Sequence, residues 1–302
     1  MEIRQLKYFL KVAETLNFSE ASRRLFITQS TLSQQISHLE AEIELPLFER
    51  SGRGVFLTEA GKELIPYALK AVSATESCMD HINDLKKMLT GELNIGVTYS
   101  FRTIMMDTMI DFLKAYPGVK LNIIYRSMEE LMLMLKSRQL DFVLAFSPLK
   151  FDSEIDSRVI FSNRVAAVVK DGHPLSQQQS ARLEDLERYD LVLPARGLQA
   201  RNAFDKLIDR KDLHLRVKVE VNNVDIIFKL LHRSNYVAVL SESTVLHEDG
   251  CVSIPIDVPD NRMEGCIHVL KDAYIKNSAQ EFIRMLCQST SILMNFALKD
   301  IL

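Results

Sequence analysis

The sequence is short of three things, and each shortage closes off a class of function. It has only four cysteines, Cys78, Cys251, Cys266 and Cys287, with no C-x-x-C pair and no histidine at ligand spacing. Neither a disulfide framework nor a metal centre is expected, and the thiols read as reduced and structural. It has no uninterrupted run of roughly 18 apolar residues, so no membrane span is expected. The first stretch, MEIRQLKYFLKVAETLNF, breaks its apolar residues with Arg4, Lys7 and Lys11, which leaves no secretory h-region and points to the cytoplasm. Finally, basic residues are not in excess. The net charge is −3, and residues 1–60 hold seven Lys and Arg against eight Asp and Glu. That excludes a chain that coats nucleic acid or membranes indiscriminately.

Catalytic groupings are scarce as well. His173, His214, His232, His247 and His268 are spread along the chain with no paired nucleophile or metal-ligand spacing, so each reads as a packed or surface histidine. The stretch Gly54–Lys62 is similar to a phosphate loop, but six residues rather than four separate its glycines, and Glu63 stands where Ser or Thr is required. No cofactor and no enzymatic activity are expected.

What is present is an ordinary globular composition, 47% hydrophobic and 25% charged over 302 residues, enough for two or three domains. Ile3, Leu6, Phe9, Leu10, Ala13 and Leu16 recur at helical steps and predict a first helix. Ser19 is placed to cap a short second helix ending at Leu25, and Thr28 a third. In the third helix Leu32, Ile36, Leu39 and Ile43 form a buried stripe. The remaining face carries Gln29, Ser30, Thr31, Ser33, Gln34, Ser37 and His38, which is polar and almost uncharged. A solvated face usually carries Glu and Lys, whereas amides and hydroxyls pair with base edges. An exposed face with no partner is the alternative for this helix taken alone.

Context favours bases. Leu45–Arg50 and Val55–Leu57 flank the turn Ser51-Gly52-Arg53-Gly54, a hairpin signal. Two helices, a polar-faced third and a hairpin carrying Arg50 and Arg53 make a winged helix-turn-helix, with the arginines gripping phosphate or the minor groove. From Thr58 to Leu89 a long segment follows whose Leu64, Ala68, Ala71, Thr75, Cys78, Ile82, Leu85 and Leu89 trace a heptad seam. The seam meets either a partner helix or the chain's own core, and Pro66 is expected to kink or break the helix.

The N-terminal region resembles the LysR-type transcriptional regulators. The resemblance is carried by Leu6-Lys7-Tyr8-Phe9, Phe18-Ser19-Glu20-Ala21-Ser22-Arg23-Arg24-Leu25, Thr28-Gln29-Ser30-Thr31-Leu32-Ser33-Gln34-Gln35-Ile36, Leu39-Glu40, Leu47-Phe48-Glu49-Arg50 and Leu57-Thr58-Glu59-Ala60-Gly61. The chain departs from the family where Ser30 replaces a frequent Pro, Gln34 a frequent Arg and Glu44 a frequent Gly. The first two fall on the base-reading face and the third at the end of the recognition helix. The resemblance implies double-stranded DNA as partner and an antiparallel homodimer through the long helix, with the final assembly either that dimer or a homotetramer.

After Gly91, strands are expected at Leu93–Val97, Val119–Tyr125, Asp141–Phe146, Val165–Lys170, Leu191–Leu193, Leu215–Val221, Tyr236–Leu240 and Cys266–Leu270. Helices are expected at Phe101–Ala115, Met128–Arg138, Leu183–Arg188, from Ala200, at Val224–His232 and at Ser278–Leu298. The alternation argues for parallel β-α-β units in two lobes, with crossings near Asn163 and Met263. This layout resembles the family's effector domain, itself similar to periplasmic binding proteins. The fold class is therefore α+β multidomain: residues 1–58 a winged helix-turn-helix, 59–90 a linker and dimerisation helix, and 91–302 a two-lobed α/β effector domain. Lobe I takes 91–163 and 264–302, lobe II 164–263.

Ligands of open α/β sheets sit beyond the carboxyl ends of the strands, where helix N-termini favour anions. By that rule Thr98, Ser100, Ser127 and Ser147 in lobe I, with Arg196 and Asn223 in lobe II, are expected to meet a small polar or anionic effector. Each has a structural alternative: Ser127-Met128-Glu129-Glu130 fits a capping box, Ser100 and Asn223 fit caps, and Arg196 fits a surface ion pair.

Overall fold

A computed structural model describes residues 1–51, 54–85, 90–148, 152–209, 211–245, 248–271 and 273–289. They fall into two compact units, Met1–Met88 with Ser137–Gln139, and Leu89–Lys136 with Leu140–Leu302.

In the first unit, α1 (Ile3–Thr15) turns Leu6, Phe9 and Val12 inward and is started by a reciprocal box between Glu2 and Gln5. The second helix, α2 (Phe18–Arg24), is capped by Asn17, whose side chain accepts the Glu20 N–H at 3.0 Å. The expected cap, Ser19, lies inside the helix. Phe18 is buried at the first helical position, so packing draws the helix start two residues back. Helix α3 (Gln29–Ile43) begins at Thr28, which accepts from the Thr31 N–H, and stops at Glu44 with φ +61°. A glycine favours that left-handed conformation, so the helix ends in the geometry a glycine would give although the residue differs.

Strands β1 (Phe48–Ser51) and β2 (Gly54–Leu57) pair antiparallel with Phe48 opposite Leu57. Phe48 packs against Phe9 in a tilted contact and against Phe18 edge to face, with ring centres 5.5 and 5.8 Å apart. Glu40, on α3, accepts the N–H groups of Leu47 and Phe48 at 2.8 and 3.2 Å and ties the hairpin to the helix. Next comes α4 (Glu59–Leu85), capped by Thr58, whose hydroxyl accepts the Gly61 N–H and donates to the Pro46 carbonyl. Gly61 is required by space: a Cβ there would lie 2.3 Å from the Leu47 carbonyl oxygen. Of the two effects expected of Pro66, the break is not seen: α4 runs through it as one helix. The heptad seam divides along its length. Leu64, Ala68 and Ala71 pack on the chain's own core, whereas Thr75, Cys78 and Ile82 are exposed. The Leu85 side chain and Leu89 lie outside the described residues.

The second unit contains two five-stranded sheets. In chain order its elements are β3 (Gly91–Val97), α5 (Arg102–Ala115), β4 (Val119–Tyr125), α6 (Met128–Lys136), β5 (Phe142–Phe146), β6 (Ile155–Asn163), β7 (Val165–Lys170) and β8 (Asp190–Pro194). They continue with α7 (Gln199–Ile208), β9 (Arg216–Val221), α8 (Val224–Arg233), β10 (Val237–Ser241), β11 (Cys251–Pro255), β12 (Met263–Leu270) and α9 (Asn277–Cys287). The sheet orders are β4-β3-β5-β12-β6 and β11-β7-β10-β8-β9.

Each sheet has the expected parallel centre, β4-β3-β5 and β9-β8-β10, and adds antiparallel strands. Two of those, β6 and β11, were not expected from the sequence. The segment Leu183–Arg188 is a 3-10 helix rather than an α-helix. The chain passes between the sheets from β6 to β7 and again from β11 to β12, and Met263 pairs directly with Asn163. Helix α9 returns to the first sheet, setting Phe282 5.2 Å from Phe112 and 5.9 Å from Phe142, ring to ring. The part of the expected helix beyond residue 289 lies outside the described residues.

Candidate nucleic-acid interface and effector cleft

The interface begins with what α3 buries. Leu32, Ile36 and Leu39 are each 0% exposed, so the helix cannot rotate without removing the centre of the first unit's core. That fixes the opposite face outward: Gln29, Ser30, Thr31, Gln34, Ser37 and His38 are exposed and Ser33 is half-buried. The hydroxyl of Ser19 on α2 donates to Gln29 Oε1 at 2.9 Å, which orients the amide at the start of the helix. The Thr28 hydroxyl lies 2.9 Å from that of Ser30 and 2.8 Å from that of Thr31.

The basic residues of α2 are compensated. Arg23 and Arg24 both pair with Glu20, and Arg24 also with Glu14. The Arg24 hydrogen bond, helped by the charge of Arg23, holds the Glu20 carboxyl below its ordinary range. The face offered by α3 therefore presents amides and hydroxyls rather than net charge. Arg50 lies in β1, but its side chain, like all of Arg53, falls outside the described residues.

In the second unit the carboxyl ends of β3 and β5 face the start of α7 and α8. Thr98 follows β3 and is buried, its N–H and its hydroxyl both donating to the Leu144 carbonyl at 3.0 and 3.4 Å. Ser100 is half-buried, and its carbonyl accepts from the Ser243 hydroxyl. Ser127 realises the capping box: its hydroxyl and N–H donate to the Glu130 carboxylate at 2.7 and 3.1 Å, and its hydroxyl oxygen accepts the Glu130 N–H at 3.4 Å. Ser147 is exposed and donates to Glu264 at 3.2 Å. Asn223 caps α8 by accepting the Asp225 N–H at 2.9 Å. Arg196 is exposed and forms no ion pair with a described residue, so the surface-pair alternative is not realised.

Five residues that sequence reasoning missed join the two sheets here. Gln199, in the first turn of α7, accepts the Phe146 N–H at 3.0 Å and donates to the Phe146 carbonyl at 2.9 Å. Tyr99 donates to Asp225, and Arg102 pairs with Asp225 at 2.8 Å and with Glu248 at 3.6 Å. Burial, then the bond to Asp225, pushes the Tyr99 phenol well above its ordinary value, so it stays a donor. The only signal in the sequence was proximity to expected strand ends. Elsewhere, burial pushes the Cys251 thiol up to about 11 and raises that of Cys266, which leaves both protonated and unreactive.

Two family models match the chain: the bacterial regulatory helix-turn-helix protein of the lysR family over residues 3–62, and the LysR substrate binding domain over residues 86–290. The chain belongs to the LysR family of transcriptional regulators. This regulator is 31% identical over 292 residues to the transcriptional dual regulator GltC of Bacillus subtilis (strain 168), covering 95% of this chain and 97% of that protein. It is 30% identical over 262 residues to the HTH-type transcriptional regulator ShiR of Corynebacterium glutamicum (strain R), covering 85% and 88%. Among solved structures, a full-length OxyR variant from Pseudomonas aeruginosa superposes with a TM-score of 0.74 at 21% identity, covering 97% of this chain and 94% of that one. Full-length CbnR complexed with its target DNA gives 0.69 at 19% identity, covering 95% and 99%. These two share its fold. The regulator thus pairs an N-terminal helix-turn-helix with a C-terminal effector-binding domain, and it is a DNA-binding transcription factor, not an enzyme. Among the described residues no helix is long and apolar enough to cross a membrane.

Proposed function

We propose that this regulator works in the cytoplasm, binds operator DNA as a homodimer or homotetramer, and is switched by a small polar or anionic metabolite held between its two lobes. On this reading residues 1–58 bind DNA, 59–90 link and dimerise, and 91–302 bind effector, with lobe I at 91–163 and 264–302 and lobe II at 164–263. Gln29, Ser30, Thr31, Ser33, Gln34, Ser37 and His38 meet base edges and nearby phosphates, and Arg50 and Arg53 grip the backbone beside them. The observation that carries the reading is the division of α3 into a fully buried apolar stripe and an exposed, uncharged polar face.

The effector meets Thr98, Ser100, Ser127, Ser147, Arg196 and Asn223. Thr98, Ser127 and Asn223 already have fold-directed partners, so they act mainly by orienting nearby N–H groups. Arg196, which has no ion-pair partner among the described residues, supplies a positive charge for an anion. Coupling requires the metabolite to bind more tightly to one arrangement of the DNA-bound regulator than to another.

Gel-shift titration of the DNA flanking the regulator's own gene, at two salt concentrations with and without candidate metabolites, tests the reading. Binding that falls steeply with salt and changes with a metabolite supports it. Binding that ignores both salt and every metabolite contradicts it.

A further inference from the structure

Phe26 sits in the turn between α2 and α3, and neither its backbone nor its burial favours a phenylalanine. The turn is a Schellman closure of α2: the Phe26 N–H donates to the Arg23 carbonyl at 3.2 Å and the Ile27 N–H to the Ser22 carbonyl at 3.1 Å. The residue at this position adopts φ +55°, a left-handed conformation that glycine accepts freely and an aromatic residue resists. The ring gains nothing in exchange from packing. It is 95% exposed, the most exposed large apolar side chain among the described residues, while its neighbours Phe18, Ala21 and Leu32 form the core. Glycine or asparagine would close this turn better and leave less apolar surface in water.

Its place in the chain suggests what the ring meets. Phe26 stands two residues before Thr28, the cap of α3, so chain geometry holds its Cα within about 8 Å of that cap. The first turn of the second helix of a helix-turn-helix is the part that enters the major groove. Near it in the chain, Thr28, Gln29 and Ser30 are exposed and polar, and Arg23 is paired with Glu20. In a major groove lined by hydrogen-bonding edges, the apolar feature is the C5-methyl group of thymine.

We propose that Phe26 is a specificity residue that lays its ring against a thymine methyl at the edge of the bases read by α3. This rests on the reading that α3 lies in the groove, and the test separates the two. The full-length regulator first selects a duplex from a randomised pool. Wild type, Phe26→Asn and Phe26→Ala are then titrated against that duplex and against versions in which each thymine is replaced by deoxyuridine.

Phe26→Asn is expected to melt at or above the wild-type temperature and to bind the selected duplex about tenfold more weakly. Wild type is expected to lose about fourfold at one or two thymines, the weight of one methyl group, and both variants are expected to be indifferent there. Equal affinity of wild type and variants overturns the proposal while leaving α3 in the groove, as does weaker binding with no thymine dependence. Unchanged DNA binding with lost transcription in a reconstituted system also overturns it and assigns the ring to a protein partner. A wild-type regulator that selects no sequence removes the groove reading itself.

Discussion

Glu44 ends α3 at φ +61°, where a side chain costs about 1 kcal/mol relative to glycine. It is exposed and contributes nothing to the core. Glu44→Gly is therefore expected to raise the stability of the first unit by about 1 kcal/mol, read as a higher denaturation midpoint; an unchanged or lower midpoint would mean the helix end is not strained. His268 is a second residue with a measurable consequence. It is fully buried between the Ser157 hydroxyl and the Ala145 carbonyl, and burial pulls its imidazole down to about 4 from an ordinary 6.5. The unfolded chain thus binds the proton more readily than the folded one. Its contribution is complete above pH 6.5 and is lost as the pH falls toward 4, by about 3 kcal/mol. Denaturation followed across that window should show stability falling with acid, and His268→Gln should flatten the slope. An identical slope in the variant would remove His268 as the cause.

Among the elements, the hairpin depends on α3 through one carboxylate. Glu40 accepts two backbone N–H groups from Leu47 and Phe48, so Glu40→Ala is expected to destabilise the first unit by about 1–2 kcal/mol. Glu40→Gln, which keeps a side-chain oxygen, should recover most of that loss, and equal losses in the two variants would show that the oxygen is not what holds the hairpin. The same elements show what periodicity reveals. The stripe Leu32, Ile36 and Leu39 repeats at helical steps and marks α3 in the sequence, and long apolar runs such as Val165–Lys170 mark central strands. By contrast, β6 carries Asp156, Ser157 and Arg158 in succession, all exposed, so neither alternation nor an apolar run reveals it. Its strand character comes from pairing with β12, some hundred residues distant in the chain. Ser19 and Asn17 are both good caps by chemistry, and only the burial of Phe18 decides between them. The candidate effector site was less legible than the polar face of α3 for a related reason. The polar face of α3 is a local pattern, whereas the bond from Gln199 to the Phe146 backbone exists only once the second unit has folded.

For the whole molecule, the question is what the length of α4 beyond the first unit's core is for. Leu64, Ala68 and Ala71 are committed to the chain's own core, which leaves Thr75, Cys78 and Ile82 as the exposed stretch of the seam. If that stretch dimerises the regulator, Ile82→Glu should halve the mass found by light scattering while the helix content stays constant, because a charge in a helix seam is poorly tolerated. A wild-type mass in that variant would place the dimer contact elsewhere.

On the proposed function, α3 reads bases with the side chains that its buried stripe forces outward. The most direct measurement is the base preference of wild type, Gln29→Ala and Gln34→Ala, each selected against a randomised duplex pool. Loss of an amide pair is expected to relax preference at one or two positions by about 1–3 kcal/mol and to leave the rest intact. Preferences identical in all three proteins would contradict the placement of this helix in the groove.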